Sequence, residues 1–166
     1  MKKFLPFLTV FLLWFYSASD MQGQEPQMVS LTPDSNATDV SLDVELQLEF
    51  DTEITFNSSG STYIPIKVNN LSQNTTILEV VTSGGNVIGD NVNISSNNLT
   101  LNITLNGLTP ENKYAVIIDS GAIENAADNT DFSGIDDLDP RWRFTTVSRP
   151  KVAIKSPSHT ATGVTG

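Results

Sequence analysis

The sequence predicts an all-β protein, an antiparallel β-sandwich of about seven strands. Three observations predict it. Apolar residues recur at period two along most of the chain, as they do in strands with one wet and one buried face. Clusters of Asn, Gly and Ser fall between these runs and favour turns or left-handed backbone. Almost no stretch has the 3.6-residue period of a helix.

The alternation can be followed in order. Val44, Leu46, Leu48 and Phe50 interleave with Glu45, Gln47 and Glu49. Ile64, Ile66 and Val68 follow, with Pro65 inside the run; a proline cannot donate to a sheet ladder, so this strand is expected at an edge. Val92 and Ile94 form a short pair. Leu99, Leu101, Ile103 and Leu105 make a longer run, then Tyr114, Val116 and Ile118, then Trp142 and Phe144. The buried face of these runs predicts a core containing Leu46, Leu48, Phe50, Leu101, Ile103, Val116, Ile118, Trp142 and Phe144. The one exception to strand patterning is residues 121–129, where Ala122, Ile123, Ala126 and Ala127 could form one or two helical turns.

The chain opens with an export signal. Lys2-Lys3 precedes an apolar run from Phe4 to Tyr16, and Ser17-Ala18-Ser19 offers small residues for cleavage. The run is shorter than the about 20 residues that a membrane span needs. Residues 1–19 therefore read as a signal peptide and 20–27 as a flexible lead. Residues 28–148 read as the module, and 149–166 as a linker and the first strand of a second, truncated module. No membrane insertion is expected after signal cleavage. The mature chain is long enough to bury a core without metal or disulfide. The absence of cysteine agrees and points to a bacterial exported protein.

That second module is suggested by an internal repeat. Pro33-x-x-x-Ala37-Thr38-Asp39-Val40 recurs as Pro157-x-x-x-Ala161-Thr162-Gly163-Val164, each copy preceded by an alternating apolar pair. The offset from Pro33 to Pro157 is 124 residues, the size of one small domain.

Charge narrows the partners. The net charge is −10, and loss of Lys2 and Lys3 with the signal makes the chain more acidic. Such a surface repels nucleic acid and anionic membranes, and no basic patch offsets it.

Four late segments carry a family likeness. Leu108-Thr109-Pro110 leads into Tyr114-x-Val116, the spacing of a tyrosine corner, in which the phenol hydroxyl bonds backbone at the turn. Gly121-Ala122-Ile123, Asn125-Ala126-Ala127-Asp128-Asn129 and Trp142-Arg143-Phe144-Thr145-Thr146 follow. With the opening Pro-x-x-x-Ala-Thr-x-Val and Phe50-Asp51 at a strand end, this order resembles the bacterial Ig-like domain of the S-layer, SbsA-like type. The resemblance covers residues 28–146. It departs at Asp128, where Gly is usual, and in the longer, more acidic segment 130–140. It implies an Ig-like sandwich with no catalytic activity: a spacer or adhesion module in a tandem array on an exported or surface protein. Its partners would be neighbouring Ig-like modules and a protein or glycan target. The alternative is an accessory module of a secreted enzyme.

Candidate chemistry is sparse. The sole histidine is His159, outside the complete module, and there is neither a cysteine nor a G-x-S-x-G elbow. Asp119-Ser120-Gly121-Ala122 resembles the active turn of retroviral-type aspartic proteases, whose paired carboxylates activate water. The Ig-like likeness instead makes Asp119 a strand end, so no catalytic residue is expected. Asp128, Asp131, Asp136, Asp137 and Asp139 crowd one loop with Gly134 and are the candidate Ca²⁺ ligands, because hard cations take several oxygens. The spacing does not fit an EF-hand. Arg141 and Arg143 flank the loop and compete for its carboxylates. No other cofactor is expected. Seven Asn-x-Ser/Thr sequons, at Asn36, Asn57, Asn70, Asn74, Asn93, Asn98 and Asn102, read as a by-product of Asn-rich strands and turns.

Overall fold

A computed structural model describes residues 23–136, 138 and 141–149. The expected signal segment, the repeat copy at 152–164 with His159, and Asp137 and Asp139 lie outside the described residues. Twelve strands run in order: β1 (Met28–Thr32), β2 (Ala37–Val40), β3 (Val44–Phe50), β4 (Ile54–Phe56), β5 (Ile64–Asn70), β6 (Thr75–Ser83), β7 (Asn86–Ile88), β8 (Val92–Ile94), β9 (Thr100–Leu105), β10 (Lys113–Ile118), β11 (Ile123–Asn125) and β12 (Arg143–Thr146). The count exceeds seven because β2, β4, β7 and β11 are only three or four residues each and β6 carries its apolar residues as adjacent pairs, Ile77-Leu78 and Val80-Val81, so none of the five shows an alternating run.

One sheet has the order β1-β3-β9-β8 and the other β2-β12-β10-β5-β6-β7; β11 and β4 form a separate pair. Every pairing is antiparallel except β12 with β2. The inner faces of the two sheets meet in a single core, so the molecule is a sandwich. All nine expected core residues are buried, the least so being Phe50 at 2% exposure. Phe50 meets Phe132 edge-on at 5.2 Å, and Tyr114 stacks on Phe144 at 5.4 Å. Aromatic pairs at such distances add about 0.5–1.5 kcal/mol to their burial.

Three expectations need correction. First, β5 is not an edge strand: it lies between β10 and β6. Pro65 is tolerated because its β10 side falls just past the end of that strand. Its carbonyl still accepts the Asp119 N–H at 3.2 Å, while the Asp119 carbonyl, which a donor at position 65 would have sought, takes the N–H of Ala122. No ladder bond is lost. Second, residues 121–129 are not helical. Ile123–Asn125 pairs with β4, and the chain then turns, with Asn129 at φ 58°. Ala122 and Ile123 are buried as strand residues. Third, the described part of the lead, residues 23–27, lies against the module and is hydrogen-bonded to it. Gln24 and Gln27 donate their N–H groups to Asp128 and Asp51, and the Glu25 carboxylate accepts from Ser133 N–H at 3.0 Å.

Candidate functional site

The repeated opening motif is where the chain crosses from one sheet to the other. β1 pairs with β3 in the four-stranded sheet, and β2 pairs with β12 in the six-stranded one. The turn between them carries Pro33, whose carbonyl accepts the Trp142 indole N–H at 3.0 Å. Trp142 is fully buried, so that bond satisfies a donor that water cannot reach. Asn36 N–H reaches the Arg143 carbonyl at 2.7 Å. Ala37 opposes Phe144, Val40 opposes Thr146, and the register slips between them. Asp39 sits in that bulge with φ 57°. Val40 is buried, and its carbonyl takes the N–H of Val147. Thus Pro33, Ala37, Asp39 and Val40 each have a place in closing the sandwich. The repeat keeps three of them and changes the fourth to Gly163, the residue that adopts positive φ at least cost. Thr38 is exposed, and nothing in the structure explains its retention.

The tyrosine corner is formed as expected. The Tyr114 hydroxyl accepts the Thr109 N–H at 2.9 Å and the Asn70 side-chain amide at 3.3 Å. Leu108 is buried, and its N–H bonds the Leu42 carbonyl. The corner ties the strand entering the six-stranded sheet to the loop leaving the four-stranded one.

The acidic segment is more than a solvated loop. Phe132 and Ile135 are buried in the core, and Ile135 exchanges two backbone bonds with Ile118 at 2.7 and 3.1 Å. Gly134 makes this approach possible: its φ is 92°, and a Cβ there would lie 2.3 Å from the Ile118 carbonyl oxygen. The described calcium candidates take separate neighbours. The Asp128 carboxylate accepts the Thr130 and Gln24 N–H groups at 2.9 and 3.1 Å. Hydrogen bonds from the Thr130 side chain, from its backbone and from Gln24 hold its pKa below the usual aspartate range. Asp131 lies opposite Glu124 in an isolated antiparallel backbone bridge, and Asp136 borders a groove on the outer face. Among the described residues no group of three His, Cys, Asp or Glu side chains is placed to hold a metal ion. Arg141 donates to the Gly134 carbonyl at 3.2 Å, bracing the bend.

Asp119 stands at the end of β10, where its backbone is used on both sides, as described for Pro65. Its side chain borders the groove on the outer face of the six-stranded sheet, of about 690 Å³, with Lys67, Glu79 and Asp136. The next residues turn tightly, with Gly121 at φ 78° and its N–H on the Phe132 carbonyl. The Asp-Ser-Gly-Ala run therefore serves a strand-ending turn that receives the acidic segment.

One polar cluster was not legible in the sequence. Glu124 is buried, and its carboxylate accepts from the Asn57 side chain at 3.0 Å and from Ser58 N–H at 3.1 Å. Asn57 also donates to the Gly121 carbonyl. The cluster fixes the loop after β4 onto β11. A Glu flanked by Ile123 and Asn125 in a three-residue strand gives no pattern that marks it as buried. Asn57, Asn70 and Asn102 are buried too, so three of the seven sequons are closed to modification on the folded chain.

Two facing sheets, a first strand shared between them and a tyrosine corner define an Ig-like β-sandwich module. The family model of the bacterial Ig-like domain matches residues 22–146, and the chain belongs to that family. No curated protein matches it. Among solved structures, CopC from Methylosinus trichosporium OB3b is 12% identical, covering 77% of this chain and 99% of its own, with a TM-score of 0.48. Domains 1–6 of the surface layer protein SbsC are 16% identical, covering 75% of this chain with a TM-score of 0.45; the match spans 14% of that structure's length.

Proposed function

We propose that this chain is a non-catalytic spacer or adhesion module of an exported, surface-located bacterial protein, one unit of a tandem array. One observation carries the reading. Apart from Thr38, the residues that recur at 157–164 are those that close the sandwich at 33–40, down to the exchange of Asp39 for glycine at a left-handed position. A repeat that preserves a sheet-closing strand is the start of another module of the same plan. The acidic surface favours solubility outside the cell, and the leader supplies the route there.

The test is surface labelling of intact cells of the source organism with a membrane-impermeant amine reagent, followed by N-terminal sequencing. Labelling before lysis, on a chain that begins after residue 19, is expected. Labelling only after lysis, with the leader retained, would overturn the reading.

A further inference from the structure

The sandwich opens along one side, where β7 and β8 end the two sheets next to the β4–β11 pair. A groove of about 610 Å³ lies there, within the size range of small-ligand sites. Its accessible apolar floor is the half-buried Val87 and Ile94, backed by the buried Ile54, Phe56 and Val92. Its rim carries Thr55, Ser58, Asn86, Asn93, Asn98 and Asn129. None of its lining residues is ionisable, in a chain with 19 Asp and Glu. The groove on the outer face differs: it is bordered by Lys67, Glu79, Asp119 and Asp136.

We propose that this uncharged groove binds a neutral carbohydrate chain, an inference that rests on the surface-module reading. The side chains of Thr55, Ser58, Asn98 and Asn129 make no hydrogen bond among the described residues. Amides and hydroxyls both donate and accept, which matches sugar hydroxyls that do the same. The apolar floor suits the C–H faces of a pyranose. An ionic ligand would lose hydration here without gaining a counter-charge. A polyanion would also meet the overall charge of −10. The competing occupant is a peptide strand added to a free edge. Each edge offers three residues, against about five or six in an ordinary strand, so the ladder would be short.

The experiment is a titration of the ¹⁵N-labelled chain with chitohexaose, cellohexaose, mannohexaose and, as anionic control, hexagalacturonate. At least one neutral sugar should shift the side-chain amide signals of Asn98 and Asn129 saturably; hexagalacturonate should not. The double variant Asn98→Gly with Asn129→Gly removes both amides but keeps the positive φ of 57° and 58° that glycine accepts. It should weaken binding by about tenfold or more, with the remaining spectrum unchanged. The proposal fails if no neutral hexasaccharide gives saturable shifts, if the variant binds like the parent, or if hexagalacturonate binds better. It also fails if a Val-Thr alternating peptide shifts the backbone of β7 or β8 where sugars do not. Failure here with surface labelling intact would remove the glycan and leave the module; failure of the labelling would remove the module reading itself.

Discussion

Asp39 shows how much a single position can carry. Its φ of 57° lets β2 slip one residue against β12, so that both Ala37 and Val40 reach their partners. A left-handed conformation costs most L-residues about 1–2 kcal/mol and glycine almost nothing. Asp39→Gly should therefore leave the urea midpoint near the parent's, whereas Asp39→Val should lower stability by about 1–2 kcal/mol. Equal losses in both variants would count against the bulge. Tyr114→Phe removes the acceptor of the Thr109 N–H and should cost about 1 kcal/mol in the same assay. Asp128 gives a pH signature. Its pKa is lowered on folding, first by the Thr130 side chain, then by the Thr130 and Gln24 N–H groups. The stabilisation it brings is thus fully present above its ordinary value and lost as pH falls through the lowered one. Asp128→Asn should flatten the acid limb of stability against pH between those two values and leave its shape at neutral pH alone. The corner and the core aromatics could be read in advance, because spacing and alternation report them directly. The buried Glu124 could not, since its partners Asn57 and Ser58 lie more than sixty residues away.

At the scale of elements, the strands with an alternating apolar face were legible; the short ones, β6 with its adjacent apolar pairs, and the neighbours of every strand were not. Pro65 illustrates the limit: a missing donor excludes a central strand only if the neighbour continues past it, and β10 does not. Residues 121–129 misled through their alanines, whose helix propensity yields here to pairing with β4 and burial of Ile123. The acidic segment hid its two apolar anchors among carboxylates. Phe132→Ala should cost about 3–5 kcal/mol, the range for a buried aromatic, although the segment reads as a surface loop. Calcium makes a separable prediction for this element. An ion that bound only the folded chain would add about 2.7 kcal/mol at a hundredfold excess over its dissociation constant. The Asp128 oxygens are already bonded to N–H donors, so melts in millimolar Ca²⁺ and in chelator should give the same midpoint. A raised midpoint in calcium would place a site at the loop.

For the whole molecule, the proposed role is one that a β-sandwich serves by being folded and joined to neighbouring modules. The Asp119 turn fits that account, because its backbone closes a strand end. The purified protein should cleave no peptide between about pH 3 and pH 7, the range that suits a carboxylate dyad. Proteolysis abolished by Asp119→Asn would contradict both this role and the non-catalytic reading. The opening segment was legible as a motif because its sequence pattern occurs twice; its crossing between sheets was not, because alternation reports a buried face without saying which sheet it belongs to. The most direct test of the central claim is hydrogen exchange on the protein purified from its source organism, read at both copies of the motif. If the second copy opens another module, the amides of Ala161 to Val164 should be protected to the same order as those of Ala37 to Val40. Exchange at unfolded-chain rates in the second copy, with the first still protected, would contradict it.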